Sequence, residues 1–170
     1  MKLFIRPVHP DDAPAIVELL NPIIASGRYT VLDTPLTPEF ERQFIANYAP
    51  RGIFNVAVRP RDGRVTGLQN IEPFANYSHA FDHVGVIGTF VNLALLRQGI
   101  GRRLSEVTMR EAREKGYEKL FSYVRADNPA ALAFYQGLGF EIVGTARRQA
   151  RIVTRHSVRY IDEIVIECFI

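Results

Sequence analysis

A short glycine-containing segment at residues 98–102 is the first part of the chain whose residue types suggest chemistry. It contains Gly99 and Gly101, follows an apolar, β-branched run over residues 84–91, and precedes apolar residues at helical spacing. Glycine lets the backbone turn tightly and lets a ligand approach closely. The first N–H groups of a helix are unpaired and lie at the positive end of its dipole, so this arrangement can bind phosphate. A tight turn with close helix–sheet packing explains the same spacing.

This segment differs from the phosphate loop of nucleotide triphosphatases. That loop requires a lysine followed by serine or threonine, and Arg102, Arg103 and Leu104 stand there instead. The formal net charge of +3 suits an anionic cofactor without requiring nucleic acid. Several arginines cluster near the end of the chain, and we interpret them as the solvated part of a hairpin. They are Arg147, Arg148, Arg151, Arg155 and Arg159.

Composition limits the classes of protein to which the chain can belong. With 170 residues, 47% of them hydrophobic, we expect a single domain over residues 1–170 with a core of ordinary size. Cys168 is the only cysteine, and the four histidines are scattered, so we expect no disulfide and no metal site. The sequence shows neither a signal core nor a membrane-spanning stretch, which predicts a cytoplasmic location without a membrane partner.

Periodicity and turn residues predict the element order β-α-α-β-β-β-α-β-α-β-β. This is an α/β domain, a mixed sheet with helices on its faces. The strand–helix–strand unit that contains residues 98–102 should be parallel and right-handed. Two β-rich segments, residues 140–145 and 157–169, should pair as a terminal hairpin.

Two helix starts have recognisable capping residues. Asp11 and Asp12 offer carboxylates to the first helix, and Thr37 precedes a proline at the start of the second. The apolar stripe predicted for the second helix consists of Phe40, Phe44, Ile45 and Tyr48.

Two segments together resemble the GNAT-type N-acyltransferases. Residues 90–92 with 97–102 resemble their acetyl-CoA pyrophosphate loop, and residues 128–140 closely resemble their next motif. One helix and one strand separate the segments, as in the family, whose fold matches the predicted element order over nearly the whole chain. Residues 21–22, 34–39 and 160–163 look most like phosphinothricin-type and amino-acid-type small-molecule N-acetyltransferases. Leu96 departs from the family loop, which usually has arginine or glutamine at that position.

The resemblance implies acetyl-CoA as the co-substrate, with no metal. It assigns the pyrophosphate to five backbone N–H groups, those of Gln98, Gly99, Ile100, Gly101 and Arg102. Val91 and Leu93 would pair their backbones with the pantetheine arm, and Asn128 would bond near that arm or cap the fourth helix. Tyr135 would be the general acid, protonating the leaving thiolate after an amine attacks the thioester. A backbone N–H near Leu93 would stabilise the oxyanion.

The general base is less well specified. The strand over residues 84–91 contains no carboxylate, and the nearby candidates are Glu72, His79, Asp82 and His83. We rank Glu72 and His83 first, while a water chain or no dedicated base explains the sequence equally well.

Three functions remain open at this stage. The first is acetyl-CoA-dependent N-acetylation of a primary amine on a small molecule, an amino acid or an analogue. The second is acetylation of a protein or peptide N-terminus. The third is a non-catalytic acyl-CoA-binding sensor, because one fold supports several functions. In each case the strand edges and the terminal hairpin could support a homodimer.

Overall fold

The computed structural model describes residues 2–153 and 157–170, which form a seven-stranded sheet with helices on both faces. The elements are β1 (Phe4–Pro7), α1 (Ala13–Ala25), α2 (Pro38–Ala46), β2 (Ile53–Arg59), β3 (Arg64–Pro73), β4 (Val84–Val91), α3 (Ile100–Glu114), β5 (Lys119–Arg125), α4 (Pro129–Gln136), β6 (Glu141–Val153) and β7 (Val158–Phe169). The strand order is β1-β2-β3-β4-β5-β7-β6. As predicted, β4 and β5 run parallel and β6 pairs with β7, so the predicted α/β architecture is confirmed.

The sheet separates two clusters of apolar side chains. On one face, α1 and α2 pack over Phe54, Val56 and Leu68. On the other, α3 and α4 pack over residues that include Ile71 and Ile87. Because strand residues alternate between the two faces, neighbouring residues of one strand pack against different helices. The two faces are called the α1–α2 face and the α3–α4 face below.

The second helix begins where predicted, but the side that it buries differs in part from the predicted apolar stripe. The Thr37 hydroxyl accepts a hydrogen bond from the N–H of Phe40 at 3.2 Å, which caps α2. The Phe40 side chain is 58% exposed, whereas Glu41 is only 3% exposed. Glu41 and Ile45 lie one turn apart and both face inward, so the predicted position of Phe40 on the buried stripe is wrong. Burial raises the pKa of the Glu41 carboxyl group.

The start of the first helix also differs from the prediction. A 3-10 turn over Pro10–Asp12 precedes α1, and the His9 side chain caps this turn. Asp12 accepts a hydrogen bond from the N–H of His9 at 2.8 Å and pairs with the Arg6 guanidinium at 2.7 Å. Burial alone would raise the pKa of Asp12, but these two donors hold it below its ordinary value. Asp12 therefore fastens α1 to β1 rather than capping α1 with its side chain.

The terminal hairpin forms one edge of the sheet, with β6 as its outermost strand. Register shifts mark an irregularity between Ala146 and Ala150, and Arg148 lies there with a φ of 52°. Its guanidinium stacks 3.9 Å from the centre of the Tyr160 ring. Arg147, Arg151 and Arg159 of the predicted arginine cluster are exposed on this hairpin, and Arg155 lies outside the described residues.

Within residues 2–153 and 157–170, no helix combines the length and the apolar character that crossing a bilayer would require.

Candidate active site

Strands β4 and β5 pair only at their beginnings. The register runs from Val84 opposite Lys119 to Val86 opposite Phe121 and ends there. The Ser122 hydroxyl then donates a hydrogen bond to the carbonyl of Ile87 at 2.8 Å. Beyond this point the strands diverge and leave an opening inside the sheet, which we call the split.

The backbone of β4 offers hydrogen-bonding groups to this split. The N–H of Phe74 donates to the carbonyl of Val84, and the N–H of Asn92 donates to the carbonyl of Thr66, both at 3.0 Å. Bonded pairs alternate along an antiparallel ladder, so the even-numbered residues of β4 bond to β3. The odd-numbered residues therefore direct their N–H and carbonyl groups toward β5, and those of Thr89 and Val91, which lie beyond the paired part, face the split.

The chain between β4 and α3 places a helix start beside the split. A 3-10 turn over Leu93–Leu95 follows β4, and the Asn92 side chain accepts a hydrogen bond from Ala94 N–H at 2.9 Å. The N–H of Arg103 bonds back to the carbonyl of Gly99 at 3.1 Å. The N–H groups of the preceding residues of the first turn of α3 have no such helical partner, as is usual at a helix start. These are four of the five groups assigned to pyrophosphate, those of Gly99, Ile100, Gly101 and Arg102.

The two glycines of this segment have different roles. Gly99 has a φ of 78°, a left-handed conformation that favours glycine, and a Cβ there would meet no atom within 4 Å. Gly101 lies inside α3, where a Cβ would come within 3.0 Å of the Phe134 ring. Gly99 therefore forms the turn and leaves its outer side open to a ligand, whereas Gly101 permits α3 and α4 to pack closely.

Tyr135 lies on α4 with its hydroxyl next to the split. The side chain is 5% exposed, and its hydroxyl forms a hydrogen bond of 3.0 Å with the hydroxyl of Thr89 on β4. Burial raises the pKa of the Tyr135 phenol, while hydrogen bonds with Thr89 and Ser122 oppose the rise. The phenol is therefore protonated at neutral pH, as a proton donor must be.

Asn128 is the N-cap of α4. Its side-chain oxygen accepts a hydrogen bond from the N–H of Ala131 at 3.2 Å. Of the two roles implied for Asn128 by the resemblance, capping is the one with a contact in the structure.

Replacing Asn128 with alanine should lower the free energy of unfolding by about 1 kcal/mol, because the N–H of Ala131 loses its acceptor. Urea unfolding measures this loss. Asn128→Asp is the matched control, since aspartate is also an effective cap and should retain the stability. An Asn128→Ala protein of unchanged stability but weaker acetyl-CoA affinity would assign the side chain to the cofactor instead.

The two candidate bases lie in different places. Glu72 is exposed on the α1–α2 face of β3, opposite Val86, the last residue of β4 that pairs with β5. It accepts a hydrogen bond from the Asn70 amide at 3.3 Å. His83 precedes β4 at its paired end, six extended residues and thus about 20 Å from Thr89. The structure therefore brings Glu72 near the split and leaves His83 away from it.

Comparison with known proteins agrees with this geometry. The model of the acetyltransferase (GNAT) family matches residues 18–140, which include the split, the start of α3 and Tyr135. The chain belongs to the GNAT family. The predicted GNAT-like fold is also confirmed. A phosphinothricin acetyltransferase from Sinorhizobium meliloti, solved in complex with acetyl-CoA, superposes on this chain with a TM-score of 0.87 at 19% identity. The superposition covers 100% of this chain and 89% of that one.

Two curated relatives of this GNAT chain are named for different acetyltransferase activities. A mycothiol acetyltransferase from Kocuria rhizophila is 35% identical over 118 residues, 68% of this chain and 36% of its own length. The ribosomal protein bS18-alanine N-acetyltransferase of Escherichia coli is 37% identical over 103 residues, 61% of this chain and 64% of its own length. The chain thus spans about a third of the first relative and under two thirds of the second.

On the α1–α2 face of this GNAT chain, Arg125 holds the loop between α1 and α2 against the sheet. Its buried guanidinium donates hydrogen bonds to the carbonyls of Gly27 at 3.0 Å and Thr30 at 2.8 Å. Aromatic rings continue along this face, with Phe121 in edge contact with Phe74 at 5.6 Å and with Tyr123 at 5.0 Å. The loop and the aromatic rings border the side of the sheet that Glu72 faces.

Sequence reasoning missed three side chains at this site. Thr89 is the only side chain of β4 that can form hydrogen bonds, so it carried a signal, whereas Gln69 stands among other polar residues of β3, such as Thr66 and Asn70, and carried little. Arg125 pairs locally with Asp127, but nothing in the sequence indicated that it also binds carbonyls 95 and 98 residues earlier in the chain. In the part of the chain that the structure describes, no three His, Cys, Asp or Glu side chains lie close enough together to bind a metal ion.

Proposed function

We propose that this GNAT chain transfers the acetyl group of acetyl-CoA to a primary amine of a small molecule, an amino acid or an analogue. The observation that carries the proposal is the split between β4 and β5, bordered by unpaired backbone groups, the start of α3 and the Tyr135 hydroxyl. The pantetheine arm would pair with the backbone of Val91 and Leu93. The pyrophosphate would bind the N–H groups of Gln98 to Arg102.

The remaining part of the cofactor has a basic surface available. A groove of about 280 Å³ follows α3 from Arg102 to Arg113 and reaches Leu138 after α4. Its lining has two arginines, Arg102 and Arg113, and one acid, Glu106, which lies 3.8 Å from Arg102, so a net positive charge remains to favour an anionic occupant such as a phosphate group.

The two faces of the sheet separate the acid from the base. The amine nitrogen attacks the thioester carbonyl, the carbon–sulfur bond breaks, and Tyr135 protonates the departing thiolate from the α3–α4 face. Glu72 accepts the proton lost by the amine, through water, from the α1–α2 face. The N–H near Leu93 stabilises the oxyanion. Holding both substrates in the split supplies a large part of the acceleration.

Replacing Glu72 with glutamine should lower kcat/KM about tenfold near neutral pH and remove the acidic limb of its pH profile, because the variant has no group to protonate. Rates measured across pH with a fixed amine test this expectation. His83→Ala is the comparison, since His83 lies away from the split and its removal should retain the acidic limb. A limb that persists in Glu72→Gln would assign the proton to solvent or to another group.

The residues that surround the α1–α2 face of the site limit the size of the amine acceptor. The loop held by Arg125 and the aromatic rings beside Phe121 restrict this face, which favours a compact amine. Acetylation of a peptide N-terminus is the second candidate, because the relative from E. coli is named as an alanine N-acetyltransferase of a ribosomal protein.

Release of the CoA thiol, followed with acetyl-CoA and a panel of amines, distinguishes these functions. We expect turnover with free amino acids or their analogues and little with a peptide that begins with alanine. The opposite preference would establish the second candidate. Tight acetyl-CoA binding without amine-dependent release would indicate the non-catalytic sensor.

The proposal also includes the bounds of the domain and the oligomeric state. Residues 1–170 would form one N-acetyltransferase domain. A second copy would add to the outer edge of β6, where Ile142 and Val143 are each 49% exposed. Sedimentation velocity distinguishes the dimer from the monomer.

A further inference from the structure

Gln69 connects β3, β4 and α3 beneath the proposed active site. Its side chain is fully buried, with 0% exposure, and faces α3. The amide nitrogen lies 2.8 Å from the Ser105 hydroxyl on α3 and 2.8 Å from the Thr89 hydroxyl on β4. Thr89 in turn contacts the Tyr135 hydroxyl at 3.0 Å. Gln69 is therefore linked to the proposed acid through one intervening side chain, that of Thr89.

The contacts of Ser105 fix the orientation of the Gln69 amide. A serine hydroxyl has a single proton to donate, and that of Ser105 goes to the carbonyl of Gly101 at 2.9 Å. Ser105 must therefore accept a hydrogen bond from Gln69, which places the amide NH₂ group on the side of Ser105 and Thr89. The second N–H of the same group consequently donates to the Thr89 hydroxyl.

This order leaves the proton of Thr89 available to Tyr135. A threonine hydroxyl that accepts from Gln69 can donate its own proton to the neighbouring phenol oxygen. Such a donor has its greatest value when the phenol has given up its proton, because the phenolate oxygen is charged and buried. Donation from Gln69 also polarises the Thr89 O–H and strengthens it as a donor.

We propose that Gln69 is a positioning residue, which holds the Thr89 hydroxyl so that it donates to the Tyr135 oxygen as the phenol proton passes to the leaving thiolate. The inference rests on the proposed role of Tyr135 as the acid. The same amide donates to Ser105, whose hydroxyl donates to the carbonyl of Gly101, so one buried side chain connects α3 to the pair of Thr89 and Tyr135.

Replacing Gln69 with methionine, which has a similar shape and no N–H donor, is expected to lower kcat about fivefold while leaving the KM for acetyl-CoA unchanged. Thr89→Val removes the hydroxyl that donates to Tyr135 and should have the same effect. It replaces Gln69→Met in the experiment if that variant fails to fold. Asn55→Leu is the matched control. Asn55 is also fully buried and opposes Gln69 in the ladder, but its amide bonds to Thr108 and Glu111 of α3.

We expect a lower kcat in Gln69→Met and in Thr89→Val, with kcat retained in Asn55→Leu. Equal losses in Gln69→Met and Asn55→Leu, or no loss in Gln69→Met, would overturn the inference. In a Tyr135→Phe background, Gln69→Met should cause no further loss, because both act on one proton transfer. Additive losses would refute the positioning role and leave the acid intact, whereas full activity of Tyr135→Phe alone would refute the acid itself.

Discussion

Replacing Tyr135 with phenylalanine is expected to lower kcat about a hundredfold while leaving the affinity for acetyl-CoA nearly unchanged. The substitution removes one oxygen atom next to the split and retains the ring, which packs in edge contact with Phe134 at 5.0 Å and with Phe140 at 5.1 Å. The thiolate must then leave without its proton donor. Single-turnover rates together with the Kd for acetyl-CoA separate the chemical step from binding.

Tyr117→Phe is the matched control for this experiment. Tyr117 is also buried, its pKa is also raised by burial, and its hydroxyl donates to the carbonyl of Arg51 at 3.1 Å. Losing that hydroxyl should cost stability without affecting turnover. In the unmodified enzyme the acid must be protonated, and the pKa of Tyr135 is raised, so its loss of activity should lie at alkaline pH. Turnover unaffected by Tyr135→Phe, with chemistry rate-limiting, would contradict the assignment.

Replacing Gly99 with valine is expected to weaken acetyl-CoA binding about thirtyfold. A β-branched residue resists the φ of 78° at Gly99, so the turn should relax and move the N–H groups of α3 away from the pyrophosphate. Restoring the left-handed conformation on binding would cost about 2 kcal/mol, which corresponds to this loss. Isothermal titration with acetyl-CoA measures the change in affinity.

Gly63→Val distinguishes general strain from loss of the binding turn. Gly63 lies in the turn between β2 and β3 with a φ of 68°, and a Cβ there would also meet nothing within 4 Å. Both valine variants should lose comparable stability, and only Gly99→Val should bind acetyl-CoA less tightly. Equal affinities in the two variants would show that the cofactor binds elsewhere.

The features predictable from the sequence were those encoded by local signals. The proline after Thr37 marked the start of α2, and Asp62 with Gly63 marked a hairpin. Residues 98–102 follow β4 and its short connection, and they include the start of α3 at Ile100. In the predicted stripe of α2, Ile45 is buried but Phe40 is exposed, because a four-residue spacing fits either Phe40 with Phe44 or Glu41 with Ile45. Packing of Ile45 into the core with α1, which local sequence does not encode, decides between the two pairs.

The site was predictable only in part for the same reason. The resemblance led to Tyr135 and the glycine turn, whose positions beside the split follow from the fold. It could not separate Glu72 from His83, because their distance from the split depends on which end of β4 stays paired with β5. The link between Thr89 and Gln69 could be recognised only from the strand register, which places the two residues opposite each other.

The divergence of β4 from β5 links cofactor occupancy to the folding equilibrium. The amides of Thr89 and Val91 point into an interior gap, where a bound pantetheine arm would act as a missing strand. A ligand that binds only the folded chain at a hundred times its Kd adds about 2.7 kcal/mol to stability. We therefore expect acetyl-CoA to raise the melting temperature and to slow hydrogen exchange at these two amides, so that cellular acyl-CoA supply would influence the protein's lifetime as well as its rate.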